Sequence, residues 1–174
     1  MPILPTVRDP RLITIRRGGS LTDEHHRLLA AWALECAEHV LPLFEAERPG
    51  DHRPHDALAV GHAWIRGEAR MTQAHDIAFV ANAAGRGLPD PARFAALSVG
   101  QAVAVAHVAA HDLGAAAYAI RAARAAAGGT GAGAEAARLR ERDWQRERIP
   151  PALRALVLED QHNRDELCWG GFGD

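Results

Sequence analysis

His107 and His111 stand four residues apart in the stretch "HVAAHD". On a continuous helix that spacing puts both imidazoles on one face. Such a pair can supply two ligands to a metal or two hydrogen-bonding groups to a helical core. A metal site needs three or four protein ligands. Asp112 is about 100° further round such a helix than His111, so it cannot join both histidines. A third ligand has to come from another helix, with His62 and His75 the candidates. The glutamate of the H-E-x-x-H protease pattern is missing, and so is the Glu-x-x-His pair of di-iron bundles. Buried polar groups commonly find hydrogen-bond partners without a metal. The spacing is therefore read first as a buried polar cluster of His107, His111 and Tyr118, with His62 beside it. A metal-binding helical-bundle enzyme built on His107 and His111 is the alternative.

The other reactive residues point the same way. No Ser or Cys lies beside a histidine as an activated nucleophile, and no G-x-S-x-G occurs. Neither a G-x-x-x-x-G-K-[ST] loop nor a G-x-G-x-x-G following a strand is present, so no cofactor is implied and a non-enzymatic role is favoured. His25 and His26 fall in a first helical turn and read as solvated. Arg16 and Arg17 in "TIRRGGS" (14–20) suit a phosphate or carboxylate but also a solvated loop. The loop "ERPGDHRPHD" (47–56) alternates acid and base through Asp51 and Arg53. It fits a partner-binding surface or a set of surface ion pairs, each worth about 1 kcal/mol or less. In "RLRERDWQRER" (138–148) acids interrupt the arginines, which reads as a solvated helix anchored by Trp144. "DQHNRDE" (160–166) superficially resembles nuclease motifs but lacks a second metal-binding element.

The elements that must position these residues read as helical. The 174 residues fit one domain spanning 1–174, with a real core. The chain is 48% apolar with 5% aromatics, and much of the apolar share is alanine, the best helix former. The expected fold is an all-α bundle of five to six helices around a long, Ala-rich central helix. Residues 1–20 read as an irregular N-terminal segment, with Leu12–Ile15 as a short strand. Thr22 is the expected N-cap of a first helix, in which Leu29, Ala33, Cys36, Val40 and Leu43 form an amphipathic stripe. Pro42 is placed to kink or end it. A second helix starts at Pro54 and runs to about Gly67. A third runs from N-cap Thr72 to about Arg86. Asp90-Pro91 opens the fourth, expected to continue unbroken through "AVAHVAAHDLGAAAYAIRAARAAAG". "GGTGAGA" (128–134) reads as a flexible linker. C-terminal helices and a tail occupy 135–174, with Leu167, Trp169 and Phe172 available to pin the tail to the body.

Lysine is absent, and 20 arginines face 22 acids for a net charge of −2. That balance gives no global attraction to nucleic acid or anionic membrane. Two isolated cysteines, Cys36 and Cys168, fit reduced thiols in a cytoplasmic protein. The N-terminus lacks a signal-peptide pattern, and no run of about 20 apolar residues exists to span a membrane. Small-residue helix faces leave a homo-oligomer open.

The string "ITIRRGGSLTDEHHRLLAAWALECAEHVLPLFE" with "RPGDHRPHDAL" resembles the Imm-5-like group of bacterial immunity proteins. So do "AVAHVAAHDLGAAAYAIRA", "WQRERIPPALRALVL" and the closing "CWGGF". The likeness runs from about Arg11 to Phe172. It implies a protein that neutralises a cognate toxin by binding it, with no catalytic residues to carry over. Arg16, Arg17, Asp51 and Arg53 are then the candidate partner-binding residues. An uncharacterised helical scaffold is the remaining reading.

Overall fold

A computed structural model describes residues 3–174, and among these the regular secondary structure is entirely helical. Thr22 starts α1 (Asp23–Glu47): its Oγ1 accepts from the His25 N–H at 3.1 Å, and Asp23 and Glu24 sit in the first turn. Pro42 does not end this helix, which continues to Glu47. Next come α2 (Arg53–Ile65), with Pro54 in its first turn, and α3 (Met71–Ala84). The N-cap of α3 is Arg70 rather than Thr72; its N–H donates to Gln73 Oε1 at 2.8 Å.

The long fourth helix is two helices. α4 (Asp90–Ala104) ends before His107, and α5 (Asp112–Ala126) begins after His111. Between them Val108 is extended (φ −139°, ψ 111°), and Ala109–His111 form one 3₁₀ turn. An unbroken helix over these 37 residues would be about 55 Å long. A globule of this chain length has a radius of gyration of about 16 Å. Breaking the run lets α5 fold back along α4 and bury apolar faces that a straight rod would leave in water. Among the described residues the bundle holds seven α-helices where five to six were expected, with α6 (Gly131–Glu147) and α7 (Arg154–Arg164) completing it. The linker expected at 128–134 is shorter, because residues 131–134 already belong to α6. Gly128 and Gly129 make the turn at positive φ (97° and 76°).

Helix α4 packs against α1, α2, α3 and α5, and α5 packs also against α1 and α6. Small residues set these distances. Ala115, Ala116, Ala117, Ala119 and Ala122 are fully buried on α5. A Cβ on Gly61 would lie 2.8 Å from Leu34 Cδ2, and one on Gly100 would lie 2.0 Å from Asn82 Oδ1. Larger side chains fill the space between helices: Leu29, Trp32, Leu34 and Phe44 from α1, and Val99, Val103, Leu113 and Ile120 from α4 and α5. The segment before α1 forms 3₁₀ turns at Pro10–Leu12 and Ile15–Arg17 and one isolated bridge, Thr14 to Leu21, in place of the expected strand. Among the described residues, no helix is long and apolar enough to cross a membrane.

Candidate functional site

The N-terminal turns, the start of α1, the end of α2, the start of α3 and the α4–α5 break surround a cleft of about 360 Å³. Its floor is apolar, with Leu12, Ala106, Val108 and Ala109 buried. Its rim is cationic: Arg8, Arg16, Arg17 and Arg27 line it, all exposed. Arg16 meets Asp23 at 2.5 Å, an exposed pair that offsets little of its charge. No described residue forms an ion pair with Arg8, Arg17 or Arg27. Two glycines hold the rim in place. Gly18 closes the Ile15–Arg17 turn at φ +85°. A Cβ on Gly19 would stand 2.0 Å from the Ile13 carbonyl oxygen, so only glycine lets the chain double back towards Leu21.

Three histidines lie in or beside the cleft, and burial lowers the pKa of each. His26 is buried, not solvated: its Nε2 donates to the Val105 carbonyl at 2.6 Å, tying α1 to the end of α4. Its ring meets Trp64 edge-on at 4.9 Å. Burial lowers its pKa, and Arg16 and Arg17 push in the same direction. His107 lies 3.3 Å from Met71 Sδ through Nδ1, with its ring 4.8 Å from that of His75. Burial depresses its pKa, helped by His75, Arg17 and Arg8. His111 Nδ1 bonds Gln101 Oε1 at 2.7 Å, and burial, then the nearby cationic groups, push its pKa down to about 4. The arginines therefore carry the positive charge of the cleft.

The residues singled out from the sequence fall in several places. Arg16, Arg17 and His107 line the cleft. His107 and His111 do not share a helical face, because the helix breaks between them; both are half-buried. His62 faces Glu38 at 2.6 Å on the α1–α2 surface. Tyr118 joins an aromatic group with Phe94 (6.1 Å) and Trp169 (5.0 Å), where Arg121 lies 4.0 Å over Phe94 and 4.1 Å over Trp169. The four residues expected as one polar cluster thus have separate partners. Among the described residues, no three His, Cys, Asp or Glu side chains converge as a metal-ligand group. Asp51 and Arg53 form a two-toothed pair (2.8 and 2.5 Å), and His55 reaches Glu45 at 2.6 Å. Within that loop Asp51 and Arg53 neutralise each other, while Glu47, Arg48 and Asp56 form no ion pair among the described residues. The loop lies at the opposite end of α2 from Trp64, about 17 Å along the axis.

Arg8, Arg27, Trp64 and Met71 were not legible as site residues, because only the tertiary fold gathers them. The only local signal was the pair of arginines before two glycines. Asp112 has a structural role that its spacing does not reveal. It is fully buried, with Arg164 Nη2 3.4 Å from its Oδ1. Asp160 takes the same guanidinium at 2.5 and 2.9 Å, and the Ala110 carbonyl accepts from it at 2.9 Å. "DQHNRDE" thus supplies a structural lock on the helix break. "RLRERDWQRER" is likewise half interior: Arg138, Glu141, Arg142 and Gln145 are buried. Arg138, Arg142 and Arg146 donate to carbonyls of residues 170–173, holding the tail down.

No curated protein and no solved structure matches this chain. The profile of the Imm-5 like putative immunity protein family matches residues 19–152, a narrower span than the Arg11–Phe172 likeness. That span runs from α1 through α6 and includes the cleft wall from Asp23 to Ala109, so this helical chain belongs to the Imm-5 like putative immunity protein family.

Proposed function

We propose that the protein is an immunity protein that neutralises a cognate toxin by direct, non-catalytic binding. Membership of the family across α1–α6 is the observation that carries this reading. The cationic cleft agrees with it, since charged rims speed encounter and select partners. Of the two candidate contact surfaces, the Arg16–Arg17 rim is favoured. The Asp51–Arg53 pair is closed on itself and offers a partner less free charge.

Co-expression in bacterial cells with candidate toxins encoded by neighbouring genes tests the proposal. Growth should be restored, and the two proteins should co-elute as a stable complex. The toxin, released from the complex in denaturant, should keep its intact mass. Absence of both protection and complex, or a toxin covalently altered in mass, would sink it.

A further inference from the structure

The large apolar side chains left most exposed are not scattered. Val7 (84% exposed) adjoins Arg8, and Ile15 (61%) adjoins Arg16. Phe79 (62%) and Val80 (40%) project from α3. Phe79 continues a row on that helix: Met71, His75 and Phe79 recur every four residues and share a face. Met71 and His107 line the cleft, His75 meets His107 at 4.8 Å, and Phe79 meets His75 at 5.1 Å. The cationic mouth thus has two exposed aliphatic residues as chain neighbours of its arginines, and a stripe on α3 that runs from its Met71 wall to an exposed aromatic ring.

We infer that the Arg8–Arg16–Arg17–Arg27 cleft, with the Met71–His75–Phe79 stripe, docks an acidic polypeptide segment that carries apolar side chains. On the immunity reading, on which this rests for the segment's owner, that segment belongs to the toxin. Charge complementarity selects carboxylates: three of the four arginines have no ion-pair partner among the described residues. The apolar border selects a protein over a nucleic acid. Phosphodiester chains are held by charge and polar contacts; a base could stack on Phe79, but the aliphatic Val7 and Ile15 would gain nothing from them. Arginine and aromatic anchors within an apolar setting are the composition of protein-binding hot spots. A segment laid from the rim along the Met71–His75–Phe79 face of α3 would bring carboxylates to the guanidinium groups and cover the exposed ring of Phe79.

Fluorescence anisotropy on the full-length protein tests this with a labelled twelve-residue peptide alternating Glu or Asp with Leu or Phe. Its comparators are an oligodeoxynucleotide of equal charge and inorganic tripolyphosphate. The peptide is expected to bind more tightly than either comparator. The exposed double substitution Arg16→Glu with Arg17→Glu should weaken it at least tenfold. Phe79→Ser should weaken it about threefold, and Arg53→Glu at the far end of α2 should leave it unchanged. Thermal melts of each variant verify the fold. No peptide binding, binding indifferent to the rim substitutions, or tighter binding of the oligonucleotide or tripolyphosphate would overturn the inference. The toxin assay separates the two claims. Protection that survives Arg16→Glu with Arg17→Glu refutes the cleft and leaves immunity standing. Rim-dependent peptide binding without protection from the neighbouring toxin supports the cleft and refutes the immunity reading.

Discussion

Asp112 is a carboxylate held in the interior where α4 and α5 part. Burial pushes its pKa up to about 7, against the opposing pull of Arg164, and its Oδ2 has no hydrogen-bond partner among the described residues. Asp160 already occupies the better-aligned side of that guanidinium. The sign of the linkage follows. A carboxyl raised in the folded state holds its proton there over a range in which the unfolded chain has lost it. Its contribution is fully present below about pH 4 and lost as pH rises through about 7. Asp112→Asn should therefore gain stability relative to the parent as pH rises across that window. Urea unfolding at pH 5 and pH 8 should show a larger advantage at pH 8; equal differences would refute the assignment. Arg164→Met is the opposite case. It strands two buried carboxylates and should cost about 3–5 kcal/mol, more at pH 8 than at pH 5, in the same titrations.

At the scale of elements, glycines decide where segments meet. Gly19 lets the N-terminal turns fold against α1 and aim Arg16 and Arg17 at the cleft. Gly19→Ala should free that segment, and trypsin should cleave after Arg11, Arg16 or Arg17 several-fold faster, with the helix content by circular dichroism unchanged. Gly100→Ala drives a methyl into Asn82 between α3 and α4. Overpacking of this kind costs about 1–3 kcal/mol, read as a lowered melting temperature. Much at this scale was legible in the sequence. Thr22 as N-cap, the start of α2 near Pro54, and the amphipathic α1 all follow from local chemistry. The break at 105–111 was not. "AVAHVAAH" has nothing that forbids a helix, and it is the packing of α5 on α4, with Ala110 and Asp112 tied to Arg164, that ends one there.

The whole molecule carries a net charge of −2 but keeps a concentrated positive cleft, so attraction to an acidic partner is a local field and not a global one. Such a field weakens with salt, the screening length being about 8 Å at physiological ionic strength. On the proposed reading, the association rate with a cognate toxin should fall several-fold from about 50 mM to about 300 mM salt, while its dissociation rate should change less. A flat association rate in stopped-flow measurements would count against steering by the rim. The sequence by itself determined the helical class, because alanine content, caps and 3.6-residue periodicity are local properties that no distant contact need supply. It also carried the family likeness in the order of its segments. Only the tertiary structure decided where His107 and His111 stand and that Asp112 pairs with Arg164. It alone brought Arg8, Arg17 and Arg27 around one opening, because such contacts join residues far apart in the chain, and spacing along a sequence says nothing about which faces a folded bundle will bring together.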